Sequence, residues 1–164
     1  MKAIVAVDKN WAIGLHNKLL ASIPEDMKFF RTTTTGNLVI MGRKTLESFP
    51  HGKPLPNRVN IVISRNPNYD GQGAIVVSSI EEALEEAAKY PDLEHYVIGG
   101  SSIYEALIDQ CKEAYVTYID HEYQADAYFP NLEKKDNWEE ISRSEEETCF
   151  DLCYYFTRWK NKNK

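Results

Sequence analysis

The chain is short of cysteine, short of positive charge and free of long apolar runs, and each shortage excludes something. Its three cysteines, Cys111, Cys149 and Cys153, are an odd and scattered set. They make neither a disulfide framework nor a CxxC metal spacing. We read them as small core residues in a reducing compartment, with Cys149 and Cys153 sharing parity on one strand. The four histidines fall into no HExxH or comparable pattern, so no metal is expected. The formal net charge is −6. A general nucleic-acid binder usually carries a basic surface, so that class is set aside. A small anionic ligand stays admissible, because it needs only a few well-placed cations. The richest apolar segments are as short as Leu38–Met41, too short to span a bilayer. Met1-Lys2 runs straight into a strand-like segment and then charge at Asp8 and Lys9, unlike a signal peptide. The expectation is a cytoplasmic protein with no membrane or nucleic-acid partner.

What is present is an ordinary globular balance, 43% hydrophobic and 27% charged residues over 164 positions. That length suits one domain, expected over residues 1–159, with a disordered polar tail at 160–164. Short β-like runs alternate with helical stretches, the pattern of an α/β domain with a largely parallel sheet. Strands are expected at 3–7, 38–41, 59–63, 74–77, 96–98 and 114–119. Two more, near 138–143 and 148–159, should form a hairpin around Glu145-Glu146-Glu147. A polar, glycine-containing stretch covers Asp8 to Ala21. Pro24-Glu25-Asp26 opens a helix: proline lacks only an N–H that has no partner in the first turn, and acids suit the positive end of the dipole. Gly42 to Phe49 reads as a turn and a short helix. Ser79-Ile80-Glu81-Glu82 reads as a capping box before the stripe Ile80, Ala83, Leu84, Ala87 and Ala88. Ser101 or Ser102 can cap a further helix with the stripe Ile103, Ala106, Leu107 and Cys111.

In open α/β sheets, ligands bind beyond the carboxyl ends of strands. Three such ends carry unusual residues: Gly42-Arg43-Lys44-Thr45, Ser64-Arg65 and Gly99-Gly100-Ser101-Ser102. The first fails as a Walker A loop, since Gly36 and Gly42 enclose five strand-like residues and Arg43 intervenes before Lys44. It can still offer close backbone approach and a forked cation. Arg43 and Arg65 suit a phosphate monoester, or they are solvated surface residues. Gly99-Gly100 suits a pyrophosphate, or it is a tight strand-to-helix turn; it is not GxGxxG. Asp26 stands among Pro24, Met27, Phe29 and Phe30. It is either a surface acid at a helix start or a carboxylate in an apolar cleft. In a cleft, burial would raise its pKa while the helix start would lower it. Arg58 follows the rigid Pro54-Leu55-Pro56-Asn57 loop, where it suits a carboxylate ligand or lies free on the surface.

Taken in order, Ile4-Val5-Ala6, Trp11-Ala12-Ile13-Gly14, Ile23–Phe30, Val39–Thr45, Leu55-Pro56-Asn57-Arg58, Val62–Arg65, Val97–Gly100 and Asp126–Pro130 resemble the dihydrofolate reductases, over nearly the whole chain. The resemblance implies a central, mostly parallel sheet of about eight strands flanked by helices, with a C-terminal antiparallel hairpin. It implies NADPH as cofactor, dihydrofolate as substrate, antifolates as inhibitors and a monomer. Asp26 would be the ionisable group of the pterin pocket, supported by Thr117. Val5, Ala6, Met27, Phe30, Phe49, Leu55 and Ile98 would wall the pterin and benzoyl rings. Arg58 would grip the glutamate α-carboxylate. Arg43, Ser64 and Arg65 would hold the cofactor 2′-phosphate. Gly42, Lys44, Thr45 and the backbone through Gly99, Gly100, Ser101, Ser102 and Ile103 would hold the pyrophosphate and nearby groups. Ala6, Ile13, Gly14 and Leu19 would line the nicotinamide, with Tyr104 near the reacting rings, and Asp8 to Ala21 would be a mobile lid. The chain departs from the family at Leu20-Ala21, where a Pro-Trp or similar pair is common.

Other readings are a reductase of the same fold acting on another pterin-like or pyrimidine-like substrate, as in the riboflavin pathway, and a non-catalytic nucleotide sensor. A third is an NAD-preferring enzyme using Asp120, about twenty residues after Gly100, as the ribose acid. Arg43 and Arg65 favour NADP over the last. Asp26 beside an apolar wall disfavours the sensor.

Overall fold

A computed structural model describes residues 1–164. Its main sheet is built around β1 (Lys2–Val7) and runs outward in both directions. On one side come β7 (His95–Gly99), β4 (Leu38–Gly42), β5 (Val59–Ile63) and β6 (Ile75–Val77), all parallel. On the other, β8 (Glu113–Ile119) is parallel to β1, then β12 (Leu152–Asn161) and β10 (Trp138–Arg143) follow antiparallel.

Parallel strands joined by crossovers are covered on both faces, so they read as unbroken apolar runs. Leu38, Val39, Ile40 and Met41 show this directly, since all four are 0% exposed. Leu38 and Ile40 join the larger core cluster, which includes Ala83 and Ala87 of α3 (Ile80–Ala87) and Leu107 of α4 (Ser101–Leu107). Val39 and Met41 face the other way, towards Phe29 and Phe30 of α1 (Pro24–Thr34). Period-two alternation thus splits one strand between two cores.

Several expectations need correction. The expected antiparallel pairing of the two C-terminal strands is present, but the acidic loop does not connect them directly. Instead β11 (Glu147–Cys149) turns tightly into the start of β12, while β10 pairs with its later part. Cys149 and Cys153 lie on different strands and are only half-buried; Cys111 alone is a core cysteine. Residue 160 is not where order ends. Asn161 closes β12 with no exposed surface, and its amide donates to the Cys111 carbonyl at 3.0 Å. A buried amide with satisfied partners anchors a segment that looks merely polar in sequence. Neither Ser101 nor Ser102 caps α4, because Gly100 is the cap residue and makes no side-chain bond. The Ser101 hydroxyl donates instead to the Tyr128 carbonyl, at 2.8 Å. Ala106 is exposed, off the buried stripe. Ser79 does cap α3 by accepting from Glu82 N, but the Glu82 carboxylate reaches Ser78 rather than Ser79.

The stretch after β1 is not featureless. It holds β2 (Ala12–Leu15) and β3 (Lys18–Leu19), joined through His16 and Asn17, both at positive φ. With β9 (Ala127–Tyr128) they form a separate antiparallel sheet in the order β3-β2-β9. No helix is long and apolar enough to cross a membrane.

Candidate active site

The sheet register places three strand ends side by side. Met41 is level with Gly99 across β4 and β7, and Gly42 is level with Ile63 across β4 and β5. The residues that follow therefore converge: α2 (Arg43–Glu47) after β4, Ser64-Arg65 after β5, and Gly100 with α4 after β7. Close backbone approach explains the glycines. A side chain on Gly42 would put its Cβ 3.2 Å from Cγ1 of Ile103. At Gly99, φ is +131° and a Cβ would lie 3.3 Å from the Thr45 hydroxyl. The Gly99–Gly100 peptide is cis. Thr45 and Ile103 thus sit against the glycine backbones they were expected to accompany. Arg43, Lys44 and Arg65 are exposed, and neither arginine is engaged in an ion pair. Ser64 is buried, its hydroxyl accepting from Asn66 N at 3.2 Å. Ser102 is exposed. The glycine cradle, with two free guanidinium groups at its rim, fits a ligand carrying a pyrophosphate and a phosphate monoester.

On the other side of β1 lies the carboxylate. Asp26, in the first turn of α1, is half-buried and accepts from the Thr117 hydroxyl at 2.6 Å. Burial pushes its pKa above the ordinary carboxylate range, and the Thr117 hydrogen bond opposes that rise. Thr117 is level with Ala6 across β8 and β1, so Ala6 stands between the acid and the glycine cradle. Phe30, Phe49 and Leu55 pack with Ile98 and Ile4 into one apolar wall on this face. Met27 is 50% exposed at the rim. Val5 points to the opposite face, into the larger core, so only its backbone is available here. Tyr104 is buried, its hydroxyl donating to the Ile4 carbonyl at 2.7 Å, and burial with the nearby Asp26 charge drives its pKa upward.

Arg58 lies farther out, half-buried. Its Nη1 donates to the Thr34 hydroxyl and its Nε to the Pro56 carbonyl, both at 3.0 Å. Burial and the neighbouring Arg31 both depress its pKa, which leaves a cation in want of an anion. Asn60 was missed at the level of sequence. Its side chain clasps Leu55 N, Leu55 O and Arg58 O, holding the proline loop in shape. A lone asparagine inside the apolar run Val59–Ile63 is the signal that could have found it, since a buried amide must be satisfied.

Ile13, Gly14 and Leu19 belong to the small sheet, Leu19 being 72% exposed. The Asn17 amide donates to the Lys44 carbonyl at 2.9 Å, tying the β2–β3 turn to α2. Ala21, the position of the family departure, packs partly buried beside Ile23, Ile119 and Tyr154. Asp120 is paired with Lys9 at 3.7 Å and is taken up there rather than in the glycine cradle.

A family model described as dihydrofolate reductase matches residues 1–161. The dihydrofolate reductase of Bacillus subtilis (strain 168) is 38% identical, the alignment covering 98% of this chain and 95% of that protein. That of Neisseria gonorrhoeae is 39% identical over 97% of this chain and 96% of its own length. A solved dihydrofolate reductase from Enterococcus faecalis, complexed with NADP(H) and RAB-propyl, superposes with a TM-score of 0.87 at 33% identity. It covers 98% of this chain and 95% of the other. With a matching family model, relatives aligned end to end and the same fold, this chain belongs to the dihydrofolate reductase family.

Proposed function

We propose that this chain reduces 7,8-dihydrofolate to 5,6,7,8-tetrahydrofolate with NADPH, acting as a monomer and binding antifolates in the same pocket. The observation that carries this reading is the Asp26–Thr117 pair, a half-buried carboxylate against an apolar wall, one strand away from the glycine cradle.

Asp26 pairs with the pterin amino group and the adjacent ring nitrogen through two parallel hydrogen bonds, the geometry a carboxylate suits best. Thr117 orients Oδ1 for that role. Ala6, Phe30, Phe49, Leu55 and Ile98 exclude water from the rings. Arg58 holds the glutamate α-carboxylate. Arg43, Ser64 and Arg65 hold the 2′-phosphate, and Thr45 with the Gly99–Ile103 backbone holds the pyrophosphate. Bound NADPH supplies a hydride from C4 of its nicotinamide to C6 of the pterin, while N5 takes up a proton from water. Asp26 does not touch N5; its charge makes that nitrogen more basic. Ile13, Gly14 and Leu19 cover the nicotinamide side and keep bulk solvent out during transfer.

The test is the loss of NADPH absorbance with and without dihydrofolate. Oxidation that depends on dihydrofolate and yields tetrahydrofolate is expected. NADPH oxidation independent of dihydrofolate, or none at all, overturns the reading.

A further inference from the structure

A buried carboxylate outside this machinery has no assigned task. Asp8 follows β1 at the carboxyl end of the sheet and is 0% exposed. It is engaged in no ion pair. Burying a carboxylate without a counter-ion is costly unless hydrogen bonds replace its hydration. Here backbone amides do so, and they come from two directions. Oδ1 accepts from Asn10 N at 2.8 Å and Ala12 N at 2.9 Å. Oδ2 accepts from Tyr123 N at 2.9 Å.

These partners root the two halves of the small sheet. Ala12 begins β2, which carries Ile13 and Gly14. Tyr123 lies on the connection from β8 to β9, and β9 pairs with β2. Only a group with acceptors on both oxygens can join them, because an asparagine offers one oxygen and would set its NH2 against the other N–H.

We propose that Asp8 is a positioning residue for hydride transfer: its two carboxylate oxygens hold β2 and the β8–β9 connection at one separation, and so set Ile13 and Gly14 against the nicotinamide. The inference rests on the proposed function, through the part given to Ile13 and Gly14. Oδ1 shapes the root of β2, and Oδ2 sets how β2 and its partner meet the cofactor. Asp8→Asn keeps the first and breaks the second.

The experiment compares wild type with Asp8→Asn in three readings. The first is hydrogen exchange of residues 121–128 without ligand, the second NADPH affinity by fluorescence titration. The third is the rate with NADPH deuterated at the transferred position. Expected for the variant are faster exchange at Tyr123 and NADPH binding weakened roughly tenfold. Hydride transfer should slow by on the order of 10- to 100-fold, with a larger isotope effect on kcat. Tyr123→Pro removes the same donor with Asp8 intact; if Asp8→Asn does not fold, it gives the same loss of affinity and the same isotope effect, with faster exchange at the remaining amides of 121–128. Wild-type affinity and isotope effect in a variant of lowered Tm would make Asp8 a structural anchor only and overturn the proposal. A wild-type protein that fails to oxidise NADPH with dihydrofolate would instead sink the function on which it rests.

Discussion

At the scale of single residues, Asp26 carries two opposed demands. The reaction asks for a charge in an apolar slot, and burial disfavours that charge. Asp26→Asn is therefore expected to cut turnover at pH 7 roughly 100-fold or more, with partial recovery in acid, where the substrate arrives protonated. A pH–rate profile decides it, and wild-type rates at pH 7 would remove Asp26 from the mechanism. Stability should move the other way. The folded-state pKa is raised, so the native form binds more protons than the unfolded one between the two pKa values. Its destabilising contribution is absent below the unfolded pKa and complete above the folded pKa. Asp26→Asn is accordingly expected to raise Tm at pH 7, the gain disappearing as pH falls below the ordinary carboxylate range. Thermal melts across pH measure this; a Tm gain that persists in acid would contradict it. Replacing a charge held for function commonly stabilises a fold at the expense of activity.

Elements matter through the strand ends. Register brings Met41 level with Gly99 and Gly42 level with Ile63, so two arginines far apart in sequence share one rim. Each charge-assisted contact to a phosphate contributes about 1.5–3 kcal/mol. Arg43→Ala with Arg65→Ala should thus lower the preference for NADPH over NADH by roughly 100-fold or more, read as the ratio of kcat/KM values. Equal use of both cofactors by the unmutated chain would undo the 2′-phosphate assignment. Gly99 meets a different constraint. At φ +131° an alanine is strained, and its Cβ presses on Thr45. Gly99→Ala should cost about 1–3 kcal/mol of stability, a fall in Tm of several degrees, and should weaken NADPH binding as well. A variant with unchanged melting and cofactor affinity would show that the cradle tolerates a side chain.

On the scale of the whole molecule, the ligand end and the far end of the sheet do different work. Asn161 sits at the far end, level with Trp138, donating to Cys111 O and accepting from Asn137 Nδ2 at 3.1 Å. Asn161→Ala leaves a buried carbonyl unpaired and should destabilise by about 1–3 kcal/mol. Activity at 25 °C should hold, since no proposed ligand contact involves that end. A melt beside an assay separates the two; lost activity with an unchanged Tm would mean that the ends are coupled.

Much of this was legible from residue order. The strands of the parallel half announce themselves by runs such as Leu38–Met41, because burial on both faces leaves no polar position. Pro24 and the two acids after it mark the start of α1 for reasons local to one helical turn. Local chemistry and the ordered motifs were enough for the family and for most of the candidate site. Three matters were decided only when distant segments met. Asp26 became a half-buried, hydrogen-bonded acid because its helix was set against β8, where Thr117 donates to it. Val5 was turned away from the pocket by the pleat that turned Ile4 and Ala6 towards it. The last residues became a strand because Asn161 found carbonyls on the chain near Cys111. Burial and hydrogen-bond satisfaction depend on which segments meet in space, and residue order alone does not specify those meetings.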